Sequence, residues 1–218
     1  MLQLNCHDMG GNLCAHVRPC LESAAQSLDL AADFISFEIH LEHFPDSEEA
    51  WLQLESAADP AESRMKGLLF CSENCFYGST PSRNTVFPPA EIWDQAPAPA
   101  AHAPFDSSRF SQSSAEIFLH HELLMARDLV RREVVPAAIA SGQVEAFSAV
   151  WAVVIDGRLA RMGLPGYSIA ERRSRFSRLF ACAGVLLPGH WQIFQALWDG
   201  GVVTSKEVIA SIRLLPRL

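Results

Sequence analysis

The sequence lacks an uninterrupted apolar stretch of the roughly 18 residues that a membrane-spanning helix requires. Its first residues also lack the basic segment followed by an apolar segment that marks a secretory signal. Both absences predict a cytoplasmic protein that has no membrane partner. Hydrophobic residues make up 49% of the chain and charged residues 19%, a balance typical of globular proteins and not of disordered ones.

Basic side chains are scarce in the first half of the chain. Residues 1–100 hold 15 acidic and 4 basic side chains, a net charge of −11, whereas residues 101–218 hold 10 acidic and 13 basic ones, a net charge of +3. An acidic first half argues against a nucleic-acid partner, because the phosphates would be repelled. The opposite signs suggest that the two halves face each other.

The six cysteines lack the close Cys-x-x-Cys spacing that holds most structural zinc ions. Without a secretory signal, they are expected to be free thiols or metal ligands and not disulfides. Metal-capable residue types do cluster near the start of the chain, in Cys6-His7, Cys14-x-His16 and Cys20. Their spacing matches no pattern that predicts a metal site.

The first half contains the features of a small sheet. Alternating apolar and polar residues over 34–42 predict a half-buried strand, and apolar runs at 67–71 and 85–87 predict two more. Helices are expected over 19–32 and from Asp46 through Trp51 and Leu54. A connector rich in proline and alanine follows at 96–104.

The second half is predicted to be helical, because three Ser/Thr-x-x-Glu sequences have the pattern of capping boxes. These are Ser113 to Glu116, Ser168 to Glu171 and Thr204 to Glu207. The expected helices cover residues 114–134, 142–162, 169–182, 189–199 and 205–214. The predicted fold class is therefore α+β. A strand-bearing part over 1–104 would pack its small sheet on the first of these helices, a helical bundle over 105–218 would follow, and both would form one compact domain.

The predicted helix over 114–134 carries the residues best suited to chemistry. His121, Met125 and Asp128 share one face, since positions i, i+4 and i+7 of a helix lie above one another. Glu122 lies beside them. The sequence His-Glu-x-x-Met resembles the His-Glu-x-x-His motif of zinc peptidases, in which two histidines bind zinc and the glutamate takes a proton from the zinc-bound water.

A second stretch extends this resemblance. Glu145 follows Met125 by twenty residues, and the sequence around it, residues 141–148, is similar to the region of the third zinc ligand in gluzincins, the thermolysin-like peptidases. The resemblance covers residues 116–152. It implies a zincin-like fold, a zinc cofactor and a peptide or protein substrate.

The resemblance also implies a role for each residue. His121 and Glu145 would be zinc ligands, either Asp128 or Met125 would take the remaining position, and Glu122 would be the general base. Two residues depart from the family pattern. Met125 replaces the second histidine, and Ala149 stands where the family has an aspartate that orients the first histidine.

Other interpretations follow from these departures. One is that the chain is a zincin-like binding or regulatory protein without catalysis. The other is that it is a structural protein that resembles the family by chance. In the structural interpretation, His121 is a core histidine hydrogen-bonded to Glu145 or Asp156. Asp128 then pairs with Arg131 or Arg132 at helical spacing. The basic stretch 172–178 is expected to be a solvated helix face or to pair with the acidic first half.

Overall fold

The computed structural model describes residues 2–42, 50–57, 59, 61–78, 107–181, 185–202 and 204–215. Its strands are β1 (Gln3–His7), β2 (Phe34–Leu41), β3 (Ala50–Ser56) and β4 (Met65–Cys71). Its α-helices are α1 (Gly11–Ser27), α2 (Gln112–Val130), α3 (Val144–Met162), α4 (Ile169–Phe180), α5 (Pro188–Trp198) and α6 (Ser205–Leu214). The predicted α+β fold class, with a small N-terminal sheet followed by a helical part, is confirmed. The predicted boundary at 104/105 lies outside the described residues.

The four strands form one mixed sheet in the order β1-β2-β4-β3. β1, β2 and β4 run parallel, whereas β3 is antiparallel to β4 and lies at the edge. The carboxyl ends of β1 and β2 therefore meet at the same end of the sheet. His7, the last residue of β1, is directly opposite His40 of β2.

The two faces of the sheet have different surroundings. Phe37, Ile39 and Leu41 of β2 belong to the hydrophobic core that also contains residues of α1 and α2. Because successive side chains of a strand point to opposite faces, Glu38 and His40 lie on the face away from this core. The same alternation places His7 on that face, since Leu4 and Cys6 pack against the core.

The predicted helix over 19–32 corresponds to α1, which begins at Gly11 and ends at Ser27. Proline is favoured in the first turn of a helix, as a start at Pro19 would place it. Here Pro19 lies inside α1 instead. The strand β1 was missed, although Leu2, Leu4 and Cys6 alternate with polar residues and pack against the core.

The predicted helix from Asp46 through Leu54 is wrong, because residues 50–56 form strand β3. Ala50 and Leu52 are buried, whereas Trp51 and Gln53 between them are only partly buried, so the period is two. Asp46 itself lies outside the described residues. The predicted strand at 67–71 is confirmed as β4, while the predicted strand at 85–87 and the connector at 96–104 lie outside the described residues.

The five predicted helices of the second half are confirmed as α2 to α6, with end shifts of a few residues. Capping boxes are present at Ser168 and Thr204, where each hydroxyl accepts from the backbone N–H of the glutamate three residues on. The predicted box at Ser113 is wrong. Ser111 caps α2 instead, accepting a hydrogen bond from the N–H of Ser114.

The cap assignments make a testable prediction. Ser168→Ala and Thr204→Ala should each lower the free energy of unfolding by about 1 kcal/mol, because a helix N–H loses its partner. Ser113→Ala is the matched control, since Ser113 is exposed inside α2 and alanine favours a helix there. Urea denaturation of the three variants measures this. A loss at Ser113 equal to that at Ser168 would contradict the assignment.

Helix α3 is the centre of the helical part. It contacts α2, α4, α5 and α6, and 13 of its residues are buried. A helix surrounded in this way must be apolar on all sides. The buried carboxylate of Asp156 on this helix is therefore an exception that needs partners. None of the described helices combines the length and apolar composition needed to cross a bilayer.

Candidate metal centre and the buried ion network

Three metal-capable side chains meet at the carboxyl ends of β1 and β2. His7, Glu38 and His40 each offer one ligand atom, and these atoms lie within 4.8 Å of one another. The Oε2 atom of Glu38 is 3.1 Å from Nε2 of His7 and 3.6 Å from Nε2 of His40. We call these three residues the strand-end triad. Within the described ranges, no other three His, Cys, Asp or Glu side chains bring their ligand atoms within 4.8 Å of one another.

The pairing of the strands brings the triad together. His7 and His40 are register partners, and their rings stack with centroids 4.5 Å apart and planes 10° apart. Glu38 precedes His40 by two residues and so points to the same face of the sheet. On its other side, the ring of His40 stacks on Phe70 of β4, with centroids 5.1 Å apart.

Charged side chains surround the triad. Nζ of Lys66 is 3.3 Å from Oε1 of Glu38, and Oδ2 of Asp8 is 3.6 Å from Nδ1 of His40. Lys66 thus pairs with Oε1 of Glu38, whereas Oε2 is the oxygen that lies near the two imidazoles. Asp8 stands where a carboxylate orients a metal-binding histidine through its second nitrogen. Its left-handed φ of 58° places it in the turn that follows β1.

The protonation state of His40 suits a metal ligand. Burial, and then the neighbouring His7, lower the pKa of His40 below its ordinary value, although Glu38 and Asp8 act in the opposite direction. Neutral imidazole is the form that binds metal ions. The side chains of His7, His40 and Glu38 are 42%, 22% and 15% exposed, although the Nε2 atom of His7 itself is shielded from solvent.

The nearby cysteines are less suited to a metal. Burial, and then Cys14, raise the pKa of Cys6 to about 12, which disfavours the thiolate that binds metals. All five cysteines among the described residues are free thiols, as expected from the sequence: Cys6, Cys14, Cys20, Cys71 and Cys75.

The predicted zinc ligand His121 lies in a different place, inside the helical part. It is 1% exposed, and its Nδ1 is 3.0 Å from Oδ1 of Asp156 on α3. The ring also lies edge-on to Tyr167, with centroids 5.4 Å apart. The interpretation of His121 as a core histidine hydrogen-bonded to Asp156 is confirmed.

Arg172 completes this buried network. It is 1% exposed, its Nε donates to Oδ2 of Asp156, and its guanidinium lies 4.3 Å from the centroid of Tyr167. Its Nη2 is 3.2 Å from Nδ1 of His121. The expectation that the stretch 172–178 is a solvated face or pairs with the acidic first half is therefore wrong for Arg172. A guanidinium is the buried cation beside His121.

The carboxylate at the centre of the network is held ionised. Burial by itself raises the pKa of Asp156, but the electrostatic interactions and hydrogen bonds with Arg172 and His121 outweigh it, so the pKa lies below its ordinary value. The backbone N–H of Tyr167 also donates to Oδ1 of Asp156, at 3.1 Å. Three helices and the loop before α4 are thereby tied to one side chain.

This pKa shift predicts a pH dependence of stability. A carboxylate with a lowered folded-state pKa stabilises the protein above its ordinary pKa of 3.8, and that contribution is lost as the pH falls through the folded-state value. The stability difference between the wild type and Asp156→Asn should therefore be larger at about pH 6 than at about pH 3. Urea denaturation at both pH values measures it. An unchanged difference would contradict the shift.

The other predicted ligands do not join His121. Asp128 is buried and accepts two hydrogen bonds from Nη1 of Arg158 on α3, at 2.7 and 2.9 Å. Burial raises the pKa of Asp128 to about 7, and Arg158 opposes that rise. The predicted pairing of Asp128 with Arg131 or Arg132 is wrong. Glu145 is exposed at the start of α3. In the described part of the chain, the ligand atoms of His121, Asp128 and Glu145 do not come within 4.8 Å of one another as those of the triad do.

The remaining residues of the motif are also enclosed. Glu122, the predicted general base, is 1% exposed, and Met125 is fully buried in the core. A cavity of about 120 Å³ borders the network, lined by Asp156, Ala160, Leu164, Gly166, Tyr167, Ser168 and Trp198. His121 and Glu122 do not line it. It is also smaller than the roughly 300 Å³ at which small-molecule pockets begin.

Comparison with known proteins adds no relative, because no family, curated protein or solved structure matches this chain. The resemblance to gluzincins therefore stays a prediction that rests on residues 116–152.

Sequence reasoning missed the triad. The sequence pattern identifies Glu38 and His40 only as the polar positions of a predicted strand, and His7 only as part of an irregular cluster. The available signal was the alternation of Leu2, Leu4 and Cys6, which would have identified β1 and placed His7 at its end.

Proposed function

We propose that this protein binds a divalent transition-metal ion through the strand-end triad. The observation that carries the proposal is the meeting of two imidazoles and one carboxylate at the carboxyl ends of two adjacent parallel strands, within 4.8 Å of one another. Ligands bind at this end of the strands in open α/β sheets. Two histidines and one glutamate form the ligand set of several catalytic zinc sites, and a similar set holds mononuclear non-haem iron.

We take zinc as the first candidate for this ion. The triad of two histidines and one glutamate has a composition that suits zinc. The described cysteines are free, which agrees with a location in the reducing cytoplasm. Iron(II) is the alternative that the same ligand set favours, and the two ions are distinguished by elemental analysis.

The helix α2 has a different role in this proposal. It is a non-catalytic relative of a zinc-peptidase helix, in which Arg172 supplies the positive charge beside His121. The observations that support this role are the burial of His121 and Glu122, the ion pair between Asp128 and Arg158, and the exposed position of Glu145. Peptide hydrolysis at His121 remains the competing hypothesis and predicts metal loss when His121 is changed.

Metal content is the test. Protein exposed to zinc and then passed through a desalting column should retain about one ion per chain. Loss of a residue that only supports a metal ligand lowers metal affinity by about 10- to 100-fold. His40→Ala removes a ligand itself, so it should lower the zinc affinity by about 100-fold or more.

Two variants serve as controls. His16→Ala removes an exposed histidine of α1 and should leave the zinc content unchanged. His121→Asn should also leave it unchanged, even though it weakens the fold. Zinc that persists in His40→Ala and is lost in His121→Asn would overturn the proposal in favour of the peptidase hypothesis.

A further inference from the structure

We propose that Ser27 and His120 form a pair of nucleophile and general base, and that Ser27 takes the acyl group of activated carboxylic esters. This site is separate from the strand-end triad. Helix α1 leads from the carboxyl end of β1 to the amino end of the parallel strand β2. Ser27 is the last residue of α1, so it lies at the end of the sheet opposite to the triad. The inference therefore holds with or without a metal ion.

The pair joins two helices whose residues are distant in sequence. Oγ of Ser27, at the end of α1, is 3.0 Å from Nε2 of His120 on α2. Nδ1 of the same ring is 2.7 Å from the backbone carbonyl oxygen of Glu116, one turn earlier on α2. A hydroxyl beside an imidazole, with a further group that orients the imidazole, is the arrangement of activated serine nucleophiles.

The contact with Glu116 determines which ring nitrogen carries the proton. A carbonyl oxygen can only accept a hydrogen bond, so Nδ1 of His120 must donate, and Nε2 of the neutral ring is then the acceptor. The hydroxyl of Ser27 is thereby the donor to Nε2. The same hydroxyl contacts the carbonyl oxygen of Ala24 at 3.0 Å, so the two acceptors compete for one proton. Only the imidazole is basic enough to remove that proton.

The two members of the pair differ in exposure. His120 is 2% exposed, whereas Ser27 is exposed, so a reagent can reach the nucleophile while the base is enclosed behind it. Burial lowers the pKa of His120 below its ordinary value, which keeps the ring neutral and able to accept a proton at neutral pH. The carbonyl and the charge of Glu116 act in the opposite direction and favour the imidazolium that forms during the reaction.

The reaction has two balanced halves. In the first, Oγ of Ser27 forms a bond to the ester carbonyl carbon, the hydroxyl proton passes to Nε2 of His120, and the bond to the leaving oxygen breaks. The leaving oxygen departs with the proton that Nε2 held. In the second half, water attacks the acyl carbon and gives a proton to Nε2, which returns it to Oγ as the carboxylic acid leaves. No atom changes its oxidation state.

The exposure of Ser27 limits the substrates to activated esters. The reacting carbonyl is approached from solvent, so water solvates the oxyanion that develops on it. Fixed donors stabilise an oxyanion better than water does, and loss of one such donor typically slows acyl transfer by about 10²- to 10³-fold. Esters with an acidic leaving group tolerate this cost, because their barrier to acyl transfer is low. Amides are expected to be inert at this site.

Two probes of the full chain test the pair. A fluorophosphonate, which loses fluoride to an activated serine, should form an adduct that mass spectrometry of peptides locates at Ser27. Ser27→Ala should abolish the adduct, and His120→Gln should slow its formation by about 100-fold or more, because the base is removed. Ser23→Ala is the matched control, since Ser23 is an exposed serine one turn earlier on α1. It should leave the rate unchanged, as should a metal chelator.

The second probe is p-nitrophenyl acetate, whose cleavage releases a coloured phenolate. Cleavage should fall to the buffer rate in Ser27→Ala, whereas p-nitroacetanilide, the matching amide, should stay intact with the wild type. Unfolding the wild type in urea should stop the labelling of Ser27, because His120 is then no longer beside it. This measurement decides the role of the base even where His120→Gln fails to fold.

Several results would overturn the proposal. A wild type without an adduct, or with adducts shared equally by Ser23 and Ser27, would show that Ser27 is an ordinary hydroxyl. Labelling at an equal rate in folded His120→Gln or in the unfolded wild type would remove the base. Ester cleavage that is unchanged in Ser27→Ala would assign the reaction to other side chains.

Discussion

Replacing Arg172 by methionine is expected to lower the free energy of unfolding by about 3–5 kcal/mol, the cost of breaking a buried ion pair by removing one partner. Asp156 would remain fully buried with its charge uncompensated by a guanidinium. His121 would retain its hydrogen bond to that carboxylate but lose the neighbouring cation. Methionine keeps an unbranched apolar chain of similar length, so the loss reports the charge and its hydrogen bonds more than a cavity.

Arg173→Met is the matched control for this prediction. Arg173 is the next residue of α4 and is exposed. It donates a hydrogen bond to Gln195 and lies 6.0 Å from the ring centroid of Trp191, so its replacement should cost no more than about 1 kcal/mol. Urea denaturation of both variants gives the comparison. A double variant, Arg172→Met with Asp156→Leu, should recover part of the loss, because apolar replacement of both partners removes the unpaired charge. A loss below about 1 kcal/mol in Arg172→Met would mean that water reaches the network.

Zinc is expected to raise the thermal stability of the protein through the triad. A ligand that binds only the folded state adds about 2.7 kcal/mol at a free concentration 100 times its dissociation constant. His7→Ala and His40→Ala should each abolish this gain, whereas His16→Ala should preserve it. Thermal unfolding with zinc and with a chelator measures the gain. Without zinc, the two triad variants should unfold near the wild type, because His7 and His40 are both partly exposed.

Zinc can stabilise proteins at unintended sites, and the variants exclude this. An equal gain in the wild type and in His40→Ala would assign the effect to other residues and contradict the triad. A gain that disappears in Asp128→Asn would favour the ligand set predicted on α2. Neither result is expected, because Asp128 is already paired with Arg158.

Local signals explain which parts of the fold were predictable. Helix α6 was predicted over its observed residues, since Thr204 and Glu207 define its start. Strand β2 was predicted from a long alternation of apolar and polar residues. The shorter strand β1 has a weaker signal of five residues. At β3, the helix-start pattern at Asp46 outweighed the period of two that Ala50 and Leu52 define.

The site was less predictable because its partners are distant in sequence. The motif around His121 is contiguous and therefore visible, but sequence alone could not show that Arg172 is folded against it. Charged helix residues are rarely buried without a partner. Only the packing of α4 on α3 reveals that Asp156 is that partner. For the triad, the decisive fact is the pairing of His7 with His40, which depends on the order of the strands.

The most direct test of the metal centre is an anomalous difference map from crystals grown with zinc and measured at the zinc absorption edge. We expect one strong peak about 2.0–2.2 Å from Nε2 of His7, Nε2 of His40 and a carboxylate oxygen of Glu38. A peak beside His121, or none at the carboxyl ends of β1 and β2 despite full zinc occupancy elsewhere, would contradict it.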